Sequence, residues 1–309
     1  MLALSKLSGD EVGVVFSQLC NVLDTRVAVA FSSASLGLRE LTQALLQQLR
    51  ADHEAAAALC RKLGMRSCKV LREAKVIKWK AFSTADLALL GTLGALLPAL
   101  GELTLRAGVE LTLPERLARL RASRGAPTVE LFDSTVGPGG VQRLAEGLGA
   151  GALPAVTFIQ LTNMHVGDAG ASALAGALGR GALPQLKTLY LTRAVITDAG
   201  LVALAPALRR LPVLKTLYLT NNPFGDEGLA ALVAPPPAAG ALSPPTGVLA
   251  KLEDLNLNGT QVSDAGCATL ASALDSGALP AINHINLFRI PASAAAKAGV
   301  IVLRGYTTI

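Results

Sequence analysis

Apolar residues along most of the chain fall into one recurring unit, apolar-x-x-apolar-x-apolar. Copies stand at Leu100-Leu103-Leu105, Val156-Ile159-Leu161, Leu186-Leu189-Leu191, Leu214-Leu217-Leu219, Leu252-Leu255-Leu257 and Ile282-Ile285-Leu287, with a weaker copy at Val129-Leu131. Their last apolar positions are 105, 131, 161, 191, 219, 257 and 287, so the spacings are 26, 30, 30, 28, 38 and 30. Alternation over the final three positions predicts a short strand with one buried face, entered through a turn that the earlier apolar residue closes. Seven residues past the last apolar position come Asp168, Asp198, Asp226 and Asp264, each followed two residues later by glycine. Such short polar residues predict helix starts, where they satisfy free N–H groups. Helical patterns follow, as in Leu201-Val-Ala-Leu204-Ala-Pro-Ala-Leu208, and end at Leu-Pro turns such as Leu183-Pro184 and Leu211-Pro212. Strand, turn, helix and turn make one coil of a stacked array, in which each coil buries its apolar edge against its neighbours.

These units resemble the ribonuclease-inhibitor-like class of leucine-rich repeats over roughly residues 75–309. That resemblance implies an α/β horseshoe, with a parallel strand ladder inside and helices on the convex side. The class usually carries Asn or Cys three positions after the last leucine. Here only Asn222 fits; the matching positions hold Met164, Ala194 and Thr260.

Three irregular stretches add detail. The 38-residue spacing contains a Pro-rich insertion at residues 234–247, read as a loop interrupting one helix. Ile77-Lys-Trp79 stands 26 residues before Leu103-Thr-Leu105 and is expected to be the first strand, with Trp79 closing the core. Val300-Ile-Val-Leu303 is expected to supply a last strand.

Residues 1–73 lack the repeat and are expected to form a small α-helical domain ahead of the solenoid at 74–309. Apolar positions at Leu7, Val12, Val15, Phe16, Leu19 and Leu23 have helical spacing. A second helix is expected over Ala28–Leu41, and a third through Leu45 and Leu49 to about Leu63, ending at Gly64. Residues 7–45 resemble an F-box, a three-helix module that docks on the adaptor of a cullin-type ubiquitin ligase. The Trp usual in its third helix is missing from Ser32-Ser-Ala-Ser-Leu-Gly-Leu38. A helical cap for the solenoid is the alternative.

Composition narrows the function classes. Apolar residues make up 51% of the chain but aromatic ones only 4%, which suits thin layers of Leu, Ala and Val. Neither long uncharged stretch predicts a membrane span: Leu87–Gly101 is too short and Gly228–Ala250 carries five prolines. With no apolar leader at the start, a soluble cytoplasmic or nuclear chain is expected. The net charge of +6 is uneven. Residues 1–80 carry 12 basic and 7 acidic residues, whereas residues 81–309 carry 16 and 15. Arg61–Lys80 is rich in basic residues, and Arg66–Lys75 within it could form an amphipathic basic helix for nucleic acid or anionic lipid. Trp79 is the only aromatic residue nearby, so a solvated helix face is expected. Cys20, Cys60, Cys68 and Cys267 show no CxxC pairing, and His53, His165 and His284 are scattered, so buried thiols and no metal or cofactor are expected.

No pattern predicts catalysis. The four aspartates lie one coil apart, too far to share a cation. Gly137-Pro-Gly-Gly140 lacks the Lys-Ser/Thr of a phosphate loop. His165 and His284 have no local nucleophile beside them. The array also resembles the leucine-rich activator of the Ran GTPase, but residues 303–309 lack that family's acidic tail.

Recognition is the expected function, through residues that project from the open side of the strands. One column reads Thr104, Glu130, Gln160, Tyr190, Tyr218, Asn256 and Asn286; its flank reads Glu102, Thr128, Phe158, Thr188, Thr216, Asp254 and His284. Phe158, Gln160, Tyr190 and Tyr218, extended by Asp254, Asn256 and His284, are the candidate site for a protein partner. Aromatic stacking that serves only the sheet is the alternative.

Overall fold

The computed structural model describes residues 12–302, except 14, 17–20, 23, 35, 80–82, 107–138, 150 and 235–248. The chain divides into two units, one of Met1–Ala74 with Leu96–Ala99 and one of Lys75–Ala95 with Leu100–Ile309.

The first unit contains helices α1 (Arg26–Ser33), α2 (Leu36–Lys62) and α3 (Cys68–Glu73). Its core gathers Phe16, Ala28 and Leu49, with Val22, Phe31 and Leu46 packed around them. The expected break near Leu41 does not occur. Helix α2 runs through it, because Thr42 is buried and spends its hydroxyl on the Leu38 carbonyl and Ser32 instead of opening a turn. The expected end does hold: Gly64 takes a φ of +70°, and Met65 N–H returns to the Cys60 carbonyl.

Cys60 and Cys68, eight residues apart, meet with sulfurs 3.8 Å apart and both buried. Burial, with Cys68 beside it, pushes the Cys60 thiol up to about 12 from an ordinary value of 9.0. A thiol whose pKa rises on folding holds its proton more tightly in the native state. Its stabilisation is therefore complete below about 9 and is lost as pH climbs towards 12. Denaturant titrations across that window should show a steeper alkaline loss of stability in the native chain than in Cys60→Ala. Equal slopes would refute the linkage.

Among its described residues, the second unit forms a seven-stranded parallel sheet in sequence order, β1 to β7. Its strands are β1 (Val76–Trp79), β2 (Glu102–Arg106), β3 (Phe158–Thr162), β4 (Thr188–Tyr190), β5 (Thr216–Tyr218), β6 (Asp254–Asn256) and β7 (His284–Asn286). The coil helices are α4 (Thr84–Leu93), α5 (Gly140–Gly147), α6 (Gly167–Gly179), α7 (Asp198–Arg209), α8 (Asp226–Val233), α9 (Asp264–Asp275) and α10 (Ala294–Val302). Ile77, Leu103, Ile159, Leu189, Leu217, Leu255 and Ile285 stand in register on the buried face. The last apolar column, from Trp79 and Leu105 to Leu287, is buried behind it. β1 is therefore the first rung of this sheet, with Trp79 in the core as the spacing predicts.

Two expectations change. β2 pairs directly with β3, Leu105 opposite Leu161, so Val129-Leu131 is not a rung between them. Residues 107–138, which include Thr128, Val129, Glu130 and Leu131, lie outside the described residues. At the far end, Val300-Ile-Val302 belongs to helix α10, not to a last strand. Ser293 N–H bonds the Asp264 carboxylate and the Ser293 hydroxyl accepts from Ala296 N–H, which sets a helix start.

The aspartates cap helices, but of the next coil. Asp168 accepts from the amide and hydroxyl of Thr197 at 2.9 and 2.7 Å. Asp198 accepts from Gly225 and Gly228 amides at 2.9 and 2.7 Å, and Asp226 from the amide and hydroxyl of Ser263 at 2.8 and 2.5 Å. Each carboxylate thus sits in its own helix's first turn and bridges to the start of the following one. This explains the glycines at 200, 228 and 266, each packed against the aspartate of the preceding coil. A Cβ on Gly228 would lie 2.9 Å from an Asp198 oxygen, and the approach at Gly200 and Gly266 is closer still.

Asn222 is buried and does the same for the strand-side turns. Its amide nitrogen donates to the Leu191 and Leu219 carbonyls at 2.7 Å each, and its oxygen accepts from Ala194 and Ile196 amides at 3.0 and 3.1 Å. One asparagine therefore serves two coils, and the turn at Ala194 does not need its own. At the helix ends, Gly181 and Gly277 adopt left-handed φ, and the following amides bond back into the last turn. Pro206 leaves α7 unbroken, and the residue four back, Val202, is on the exposed side where its carbonyl can meet water. Helix α8 is only 8 residues long against 12 for its neighbours α7 and α9; the Pro-rich stretch after it, residues 235–248, lies outside the described residues.

Candidate functional site

Parallel strands in register bring side chains from five successive coils onto one surface. Gln160, Tyr190, Tyr218, Asn256 and Asn286 align as one column, and Phe158, Thr188, Thr216, Asp254 and His284 as its flank. His284 is exposed and the rest are half-buried, as expected for residues that alternate with core leucines. At the other end Thr104 is buried and Glu102 is paired with Lys78 at 3.2 Å.

The aromatic residues meet. Tyr190 and Tyr218 stack with ring centroids 4.4 Å apart and planes 2° from parallel. Phe158, diagonal to Tyr190 across the register, sets its ring against it at 5.3 Å and 64°. The Tyr–Tyr separation is close to the strand spacing of about 4.8 Å, so the two rings stand side by side, one per rung. Burial, then the Asp254 carboxylate, then Tyr190 raise the Tyr218 phenol above its ordinary value.

The polar extension is partly committed. Asn256 accepts from the Thr220 hydroxyl and the Asn258 amide, both at 3.0 Å, so its carbonyl is turned towards the following turn. Gln160 donates to Thr162 at 3.0 Å. Asp254 has no ion pair among the described residues, whereas its neighbour Glu253 is held by Lys215 at 2.6 Å. Thr162, the last residue of β3 and in step with Phe158 and Gln160, and Thr220, just past the end of β5, thus help to set this face. Phe288, 62% exposed beneath the Arg289 guanidinium, was not expected.

The remaining chemistry is dispersed. Among the described residues, no group of three or more His, Cys, Asp or Glu could hold a metal ion, and no helix is long and apolar enough to cross a membrane. The aspartates are spent on amides of the next coil. Cys60, Cys68 and Cys267 are buried; Cys20 lies outside the described residues. Of the basic stretch Arg66–Lys75, Cys68–Glu73 is helical (α3) and carries Lys69 and Arg72, while Arg61 and Lys62 end α2 and Lys78 is in β1.

A family model described as a leucine-rich repeat matches residues 183–205, 210–233 and 248–271. Comparison with curated proteins gave no match. Similar solved structures include an internalin from Listeria monocytogenes, 13% identical, covering 67% of this chain and 53% of its own at a TM-score of 0.29. The chain thus spans about half the length of that internalin structure. The complex of Rad7 and Elc1 from yeast is another, 13% identical, covering 86% and 84% at a TM-score of 0.26. With repeats matched in its central coils and one parallel strand per coil, the chain is an α/β leucine-rich-repeat solenoid preceded by helices.

Proposed function

We propose that this chain is a protein-recognition scaffold without catalytic activity, of the ribonuclease-inhibitor-like kind, working in the cytoplasm or nucleus. Its binding site is the open face of the strand ladder, centred on Phe158, Tyr190 and Tyr218 and extended by Gln160, Asp254, Asn256 and His284. The observation that carries this reading is the aromatic row itself. In a chain with only 4% aromatic residues, three of them touch on one half-exposed surface instead of in the core. Tyrosine offers a large rigid contact area and a hydroxyl at little entropic cost, which suits a binding anchor.

Tyr190→Ala combined with Tyr218→Ala should abolish capture of protein partners from cell extract while the melting transition persists. Undiminished capture by the folded variant would refute the site.

A second reading concerns the first unit: an F-box-like adaptor-docking role within residues 7–45. It is supported by Val27, Leu41 and Leu45, which are 55%, 53% and 42% exposed on its helices. Loss of ligase adaptor and cullin subunits from the captured set on deleting residues 1–60 would support it.

A further inference from the structure

The two tyrosine faces at the ends of the stack are not equivalent. Tyr190 meets Phe158 on one side and Tyr218 on the other. Among the described residues, Tyr218 has a ring, that of Tyr190, against one face only. Because the rings are parallel and stand one per rung, its second face looks along the ladder towards β6. The in-register residue there, Asn256, is drawn forward by its bonds to Thr220 and Asn258. What remains beside that face is Asp254, one diagonal step away, in the relation to Tyr218 that mirrors Phe158's to Tyr190. Their proximity is also felt electrostatically, since the Asp254 carboxylate helps to raise the Tyr218 phenol.

A π-face next to a carboxylate is a place for a cation. The ring attracts positive charge through its quadrupole, and the carboxylate accepts its hydrogen bonds. The nearby lysine whose contacts define a pair, Lys215, is held by Glu253. Among the described residues, Asp254 has no cationic partner. A planar guanidinium can lie flat on the ring while its edge faces the carboxylate, which a compact ammonium cannot do.

Building on the recognition role of this face, we infer that Tyr218 and Asp254 form the seat for one arginine side chain of an extended protein segment. The Tyr190–Phe158 end takes apolar residues of the same segment. The surface therefore reads charge at one end and bulk at the other, which fixes the direction in which the segment lies.

The test uses the full chain and a library of random linear peptides displayed for selection. The selected peptides should share one arginine spaced from an apolar residue. Replacing that arginine with its neutral isostere citrulline should weaken binding about tenfold. On Asp254→Asn the same replacement should have no further effect. Peptides that are lost on Tyr190→Ala and Tyr218→Ala but carry no shared arginine would overturn the inference and leave the recognition face standing. So would an equal citrulline effect on Asp254→Asn. Peptides indifferent to both tyrosines, or no selected peptides at all, would overturn the inference and the recognition face together.

Discussion

Leu217→Ala should lower the unfolding free energy by about 2–5 kcal/mol. Leu217 is fully buried at the centre of β5, between Leu189 and Leu255 in the same column. Truncating it removes its dispersion contacts and leaves a cavity. The coils on either side cannot close that gap, because backbone bonds set their spacing: Lys215 N–H to the Lys187 carbonyl at 2.8 Å, and Glu253 N–H to the Lys215 carbonyl at 2.7 Å. In a stacked array the damage is local, weakening the β4–β5 and β5–β6 interfaces together. Denaturant unfolding should show an earlier midpoint and a broader transition as the array loses cooperativity. An unshifted midpoint would mean that Leu217 is not in the core column.

Asn222→Ala is the second large effect, expected at about 3 kcal/mol. Alanine is small enough for the space, so the loss is one of hydrogen bonds more than of packing. It leaves the carbonyls of Leu191 and Leu219 and the amides of Ala194 and Ile196 without the partner that the buried side chain supplies. Thr260 makes a single bond, from its hydroxyl to the Leu257 carbonyl at 2.8 Å. Thr260→Val should therefore cost only about 1 kcal/mol. Thermal melts of the two variants side by side test this ranking; an equal loss would show that bridging two coils adds nothing.

These two residues differ in how far sequence reveals them. Leu217 is legible because strand alternation and the coil repeat put it in the same place as six other apolar residues. Asn222 is legible as a position, yet its reach to the preceding coil is not, since nothing local encodes which neighbour supplies the missing bonds. The aspartates make the same point. Their spacing marks helix starts correctly, but Asp198 caps the coil that begins at Gly225, so the helix they serve is settled by stacking.

The candidate site divides along that line too. Column membership of Tyr190, Tyr218, Asp254 and Asn256 follows from period-two alternation and the recurring apolar unit, even though the coils differ in length. The parallel stack, the Phe158 edge against Tyr190 and the forward turn of Asn256 depend on side-chain conformations that only neighbours select. The first unit shows the limit from the other side. An apolar run with helical spacing marks α2, but whether Thr42 opens a turn or bonds Leu38 depends on Ser32, ten residues earlier, arriving beside it.

By itself the sequence determined the coil: a strand of alternating apolar residues, a polar helix start, a helix and a glycine or proline turn. It did so because each of these rests on interactions within a few residues. Only the tertiary structure decided which segments count as coils and how they bond. Leu105 pairs with Leu161 across an interval long enough for two repeats, and Val300–Val302 close a helix instead of adding a rung. Pairing of strands and capping by the adjacent coil are contacts between residues far apart in sequence. Local pattern carries no term for them, and the energy of satisfying buried amides and carbonyls across the coil interface is what chooses among the alternatives.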